Sequence, residues 1–173
     1  MEFGLGILDN TNRGFPEYLI GCPTFPVRDL RGNLVGCGFR PGQDAMKYKI
    51  HGFKKNEHLY GVDVAQEHIL KEGSVIIVEG YFDVLLAHSR GIKNIVSCFG
   101  STISKEQILL LQSLTDNIVL ALDSDSSGIS GIKKAKITIK KLFPSAKVTT
   151  KVIFPHHDFA DYIQNHGEED EKT

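Results

Sequence analysis

Long apolar runs are missing from this chain. No stretch approaches the roughly 18 consecutive apolar residues that a bilayer-crossing helix needs, so no membrane-spanning segment is expected. The N-terminus, Met-Glu-Phe-Gly-Leu-Gly, has neither a basic segment nor a long apolar core. No secretory leader is therefore expected, and the cytoplasm is the expected compartment. Paired cysteines are missing too. Cys22, Cys37 and Cys98 are widely spaced, with no Cys-x-x-Cys. That argues against a structural zinc site and fits buried, reduced thiols. An excess of charge of one sign is also lacking: the net charge is −1, so a nucleic-acid role would need a local basic patch. No internal repeat or low-complexity segment is found.

What is present reads as a soluble α/β chain. Its 173 residues suit one full domain plus a small appendage, and 41% hydrophobic with 24% charged residues is ordinary for a globular protein. Residues 1–60 are rich in turn signals. Thr24 to Asp29, then Arg31-Gly32-Asn33, then Leu34 to Arg40 reads as a β-hairpin. A short helix is expected over 63–72. From residue 74 the pattern changes. Strand-length apolar runs at 74–79, 94–98, 117–122 and 147–154 alternate with helix-length segments near 81–90, 104–114, 128–142 and 158–165. This alternation implies βαβ units and a mostly parallel sheet covered on both faces. Ser104-Lys-Glu-Gln107 reads as a capping box. The expected organisation is a β-rich α+β segment over 1–72, an α/β domain with a mostly parallel sheet over 73–166 and an acidic tail over 167–173.

The tails of these strands carry acids. The run Asn117-Ile-Val-Leu-Ala-Leu122 ends in Asp123-Ser-Asp125, and the run ending at Val78 continues as Glu79-Gly-Tyr-Phe-Asp83. Asp158 follows the last strand. Ligands of open parallel sheets bind beyond the carboxyl ends of the strands, so Glu79, Gly100, Asp123 and Asp158 are expected on one rim. Like charges at the end of a buried strand call for a counter-charge. Mg²⁺ or Mn²⁺ suits an all-oxygen carboxylate set and would serve metal-assisted phosphoryl transfer. The competing reading of Asp-x-Asp-x-x-Gly is a loop that caps the following helix. Gly80 and Gly128 stand where the backbone must turn sharply or approach a neighbour closely. Residues 47–58 concentrate Lys47, Lys49, Lys54 and Lys55 with His51 and His58, a cluster that attracts phosphate. His156 and His157, next to Asp158, are expected to touch solvent or phosphate.

Several of these segments together resemble the Toprim domain of the bacterial DnaG-type primase family. Ile77-Val-Glu-Gly-Tyr-Phe-Asp-Val84 resembles its first acidic motif. Cys98-Phe-Gly-Ser-Thr-Ile-Ser-Lys-Glu-Gln107 resembles its glycine-threonine segment, and Leu122-Asp-Ser-Asp-Ser-Ser-Gly128 its Asp-Gly-Asp motif. Phe154 to Ile163 is similar to its final acidic motif. Upstream, Phe25-Pro-Val-Arg-Asp-Leu-Arg-Gly-Asn-Leu-Val-Gly-Cys-Gly-Phe-Arg40 resembles the primase hairpin. Lys47-Tyr48 and Lys55 to Gly61 match the lysine-bearing link that follows.

The resemblance implies a Toprim, Rossmann-like, mostly parallel sheet flanked by helices, with a small β-rich segment before it. It implies a DNA-directed RNA polymerase of the primer-making kind, a nucleotidyltransferase using Mg²⁺ or Mn²⁺. Glu79, Asp123 and Asp125 would be catalytic. Glu79, Asp123, Asp125 and Asp158 would hold metal, with Asp83 in support. Arg28, Arg40, Lys47 and Lys55 would contact nucleotide or nucleic acid. Implied partners are single-stranded DNA template, ribonucleoside triphosphates and a replicative helicase, with no membrane. The sequence departs from the family at Ser124, where glycine is usual, and at Phe159 and Ala160, which shift the second acid of the last motif to Asp161. It contains no counterpart of the family's zinc-binding domain. A Toprim nuclease and a non-catalytic nucleic-acid-binding module are the alternatives.

Overall fold

The computed structural model describes residues 3–8, 17–41, 49–151 and 158–166. The β-branched runs form the strands that their composition favours. In chain order the elements are β1 (Gly6–Ile7), a 3₁₀ turn (Glu17–Leu19), β2 (Pro23–Arg28), β3 (Leu34–Phe39), β4 (Lys49–His51) and a second 3₁₀ turn (Lys55–Glu57). Then follow α1 (Val62–Glu72), β5 (Val75–Val78), α2 (Tyr81–Ser89), β6 (Ile95–Ser97), α3 (Lys105–Gln112), β7 (Asn117–Leu120), α4 (Ser126–Leu142), β8 (Lys147–Thr150) and α5 (Phe159–His166).

The last four strands form one parallel sheet in the order β6-β5-β7-β8. Both faces are covered, as the continuous apolar strands require. On one face Val62, Ala65 and Ile69 of α1, Ile108 and Leu111 of α3, and Ala135 and Ile139 of α4 pack on Val75, Ile77, Ile118 and Leu120. On the other, Val84 and Ala87 of α2 and Phe159 and Ile163 of α5 pack on Val78, Ile95 and Ala121. The capping box holds: the Gln107 amide N–H donates to Ser104 Oγ at 3.1 Å and the Ser104 N–H donates to Gln107 Oε1 at 2.9 Å. Helix α4 begins two residues earlier than its apolar pattern suggests, because Asp125 supplies its cap.

The N-terminal strands form an antiparallel sheet, β1-β2-β3-β4. The expected hairpin is β2–β3. At its turn Asp29 Oδ1 accepts from the N–H groups of Arg31 and Asn33, both at 2.9 Å. Strands β1 and β4 were not legible as strands, being two and three residues long. They pair on edges that neighbouring strands provide, not through their own pattern.

The two sheets meet through aromatic side chains. Phe25 and Val27 of β2 enter the same core as Tyr60 and Tyr81. The Tyr60 and Tyr81 rings lie 4.7 Å apart and the Phe25 and Tyr81 rings 4.9 Å. Tyr60 also pairs with Ser97 through two backbone hydrogen bonds of 2.9 and 3.1 Å, so the link before α1 runs beside β6. Gly38 of β3 lies so close to Tyr81 that a Cβ there would overlap the phenol. Gly38→Val is therefore expected to push β3 off α2. The expected cost is about 1–3 kcal/mol in a denaturant titration, and a value near zero would show that Tyr81 yields freely.

Candidate active site

Chain order and strand order together create the site. From central β5 the chain passes through α2 to β6 on one side, then returns through α3 to β7 on the other. Between β5 and β7 the connections diverge, which opens a crevice beyond the carboxyl ends of these strands. Glu79 follows β5, and Asp123 and Asp125 follow β7. Glu79 Oε1 accepts a hydrogen bond from the backbone N–H of Asp123 at 3.2 Å, spanning the crevice. The Ser97 hydroxyl donates to the Glu79 carbonyl at 2.7 Å and accepts from the Phe99 N–H at 3.1 Å, fixing the backbone behind the glutamate.

Asp123 is half-buried. Burial pushes its carboxyl up to about 7, aided by the negative charges of Glu79, Asp83, Asp158 and Asp125. All four other acids therefore act on Asp123, as a common rim demands. Gly128 is explained by the same crowding: a Cβ there would overlap the Asp123 carbonyl. Ser124, where the family favours glycine, is not among the residues with left-handed φ, so the serine imposes no backbone strain.

The other acids are each held by a backbone N–H. Asp125 is exposed, and its Oδ1 accepts from Gly128 N–H at 2.7 Å as the N-cap of α4. The capping reading of Asp-x-Asp-x-x-Gly thus applies to Asp125, while Asp123 alone of the pair is drawn inward. Asp158 Oδ1 accepts from Asp161 N–H at 2.7 Å at the start of α5. Asp83 is buried and uses both oxygens, accepting from Gly80 N–H at 2.9 Å and Ala160 N–H at 3.0 Å. It ties α2 to α5. Burial pushes its carboxyl up to about 6, and Asp158 adds to the shift.

Among the described residues, no three acid, imidazole or thiol side chains converge closely enough to cage an ion. Glu79, Asp83, Asp125 and Asp158, expected to hold metal, each accept a hydrogen bond from a backbone N–H. The donor chemistry nevertheless fits a hard divalent cation. The donors are carboxylates alone, and their mutual repulsion, centred on Asp123, is what such an ion relieves. Toprim proteins and primases generally use divalent metal ions.

The basic residues lie on the N-terminal side. Arg40 is exposed and its guanidinium sits over the ring of Phe82, 5.7 Å from the centroid, which brings it beside the first turn of α2. Lys55 is exposed in the second 3₁₀ turn. Its charge and that of Glu79 both act on the Cys98 thiol, which burial pushes up to about 12. Arg28 is half-buried at the hairpin, and its Nη1 donates to the Gly32 carbonyl at 3.0 Å. Lys47, His156 and His157 lie outside the described residues. Cys22 and Cys98 are buried thiols, and Cys37 is half-buried. Gln107 is a functional candidate that sequence reasoning missed: its side chain reaches beyond its cap to the Lys55 turn. The Ser-x-x-Gln spacing signalled only the cap.

The model of the Toprim-like family matches residues 76–163. A DNA primase from Borreliella burgdorferi is 43% identical over 116 residues, covering 64% of this chain and 22% of that protein. The solved zinc-binding and RNA polymerase domains of the Aquifex aeolicus primase superpose with TM-score 0.77 at 30% identity, covering 94% of this chain and 42% of that one. A solved DnaG catalytic core gives TM-score 0.84 at 25% identity, covering 98% of this chain and 64% of that one. The chain thus spans less than two thirds of each of these proteins.

The carboxyl shifts set a pH dependence. Asp123 titrates near 7 when folded, against an ordinary 3.8. Between those values the folded state holds the extra proton, so the contribution of Asp123 to stability is full below about 3.8 and is lost as pH rises through about 7. Asp83 adds to the decline near 6. Asp123→Asn is expected to flatten the pH profile of Tm between those limits and to raise Tm by about 3 °C at alkaline pH. An unchanged slope would show that Asp123 is not crowded by its neighbours.

Proposed function

The chain belongs to the Toprim-like family, in the form found in bacterial DnaG-type primases, and on that premise we propose that it is a metal-dependent nucleotidyl-transfer unit that makes RNA primers for DNA replication. The observation that carries the proposal is the half-buried Asp123. It stands at the switch point against Glu79, with four acids raising its proton affinity. A primase-like hairpin packed on the same sheet supports synthesis over the nuclease reading.

In this reading Glu79, Asp123, Asp125 and Asp158 hold Mg²⁺ or Mn²⁺. The ion supplies neutralisation of phosphate charge and stabilisation of the leaving oxygen. Glu79 is placed to orient or deprotonate the attacking 3′ hydroxyl, because its carboxylate is steadied by the Asp123 N–H. Asp83 works from behind: with both oxygens committed to backbone, it braces α2 and α5 under the acids. Asp125 keeps the N-terminus of α4 aimed at the crevice. Arg28, Arg40, Lys47 and Lys55 take the phosphates of single-stranded DNA and ribonucleoside triphosphates. The segment 1–72 thus grips substrate, 73–166 carries the chemistry and 167–173 is an appended acidic tail. The setting is the cytoplasm. Among the described residues no helix is long and apolar enough to cross a membrane.

The decisive assay combines the chain with Mn²⁺, labelled ribonucleotides and single-stranded DNA. Primer-length RNA made by the wild type and lost in Asp123→Ala is the expected result. Strand cleavage without synthesis would reassign the site to a nuclease, and binding without either reaction would leave a binding module. Millimolar Mg²⁺ or Mn²⁺ is also expected to raise Tm at neutral pH, and less so in Asp123→Asn. No shift in the wild type would count against the metal site. Lys55→Ala should weaken binding to single-stranded DNA about fivefold near 0.1 M salt and reduce the log–log salt slope by about 0.7, the signature of one lost phosphate contact. An unchanged slope would remove Lys55 from the substrate path.

A further inference from the structure

We infer that Gln107 is the positioning residue for Lys55: its buried side-chain amide pins the Lys55 turn to the loop after β6, on the rim that carries the acids. The inference rests on the reading of Lys55 as a phosphate ligand. A capping box uses only the side-chain oxygen of its last residue, so glutamate would serve equally well there. Gln107 does more. It is buried, and the two N–H bonds of its Nε2 donate to the carbonyls of Lys55 at 2.9 Å and His58 at 2.8 Å, with the Cys98 carbonyl at 3.3 Å sharing one of them. Two of these carbonyls bracket the 3₁₀ turn, and the third belongs to the residue just past β6. Ser104 adds a fourth tie, its hydroxyl donating to the Asn56 carbonyl at 2.6 Å.

The chain is anchored on either side of the turn, by Phe53 against Phe99 and by the Tyr60–Ser97 bridge, but the turn itself contributes little of its own. Lys55–Glu57 buries none of its residues, and Lys54 gives it no side-chain cap. The neighbouring Lys54–Glu57 ion pair, 3.0 Å long, is solvent-exposed and so contributes little. Between those anchors, hydrogen bonds from the start of α3 hold the Lys55 backbone itself. Cys98, which Gln107 ties to the Lys55 turn, follows β6 at the strand ends that carry the acids, its N–H donating at 3.1 Å to the carbonyl of Val78, the residue before Glu79. A lysine ammonium rides on a flexible four-carbon stem, so fixing the backbone beneath it removes part of the ordering cost of gripping a phosphate.

The test is binding of fluorescent oligo(dT) across a salt series, normalised to the folded fraction at each condition. It compares wild type, Lys55→Ala, Gln107→Met and the double variant. Gln107→Met keeps length and volume but removes the amide. The expected result is a loss and slope change in Gln107→Met approaching those of Lys55→Ala, about fivefold and about 0.7, with the double variant no weaker than Lys55→Ala. Full affinity and slope in Gln107→Met, or a fully additive double variant, overturns the inference while leaving Lys55 in its role. Unchanged binding in Lys55→Ala overturns both. If Gln107→Met does not fold, Ser104→Ala, which removes the tie to Asn56, takes its place. About a twofold loss, absent in the Lys55→Ala background, then supports the inference, and no loss overturns it.

Discussion

Everything at the proposed site depends on a repulsion that the fold must contain. Two adjacent parallel strands, β5 and β7, end in acids at the point where their connections part. A carboxylate moved toward a low-dielectric interior resists ionising, and its neighbours' charges add to the resistance. The chain manages this with its own backbone. Asp83, Asp125 and Asp158 each accept from one or more backbone N–H groups at a helix start, and Glu79 accepts from the backbone beside Asp123. Three helices, α2, α4 and α5, thus begin at one acidic rim, and the positive ends of their dipoles offset part of the repulsion. Asp123 is the acid left with the greatest excess.

Sequence reasoning reached much of this because the relevant signals are local. Apolar runs with period-free β-branched composition gave the parallel strands. Ser104 and Gln107 marked the start of α3, and glycine at 128 marked a place with no room for a side chain. Acids following strands gave the rim by topology alone. What was hidden is non-local. Nothing in the spacing of Asp123 and Asp125 tells which turns inward and which caps. That depends on how tightly Gly128 lets α4 approach the Asp123 carbonyl. Gln107 has an ordinary capping signature, and its three further acceptors lie on the turn about fifty residues earlier and on the end of β6. Strands β1 and β4 are too short to show a period, and exist because β2 and β3 offer them edges.

The aromatic seam explains why the N-terminal sheet has a fixed seat. Phe25, Tyr60 and Tyr81 bring one ring each from β2, the link and α2, at tilted or edge-on angles that aromatic quadrupoles favour. Tyr81 follows Glu79-Gly80 directly. A shift of the antiparallel sheet is therefore felt at the start of α2, one turn from the acids, and Arg40 over Phe82 reports on the same contact.

The pairing of Tyr60 with Ser97 has a consequence for how these molecules behave in a crowded solution. An open parallel sheet has two rims of unpaired backbone groups, each a template on which another chain can add a strand. The Tyr60 bridge shields the β6 side at its carboxyl end with the chain's own link. The β8 side is short, its exposed positions are Lys147 and Thr149, and Lys151 follows it. Lysine on an outer strand discourages strand addition, because a second copy would have to bury its charge. The link that carries Lys55 thereby also helps keep one molecule's sheet from growing into the next.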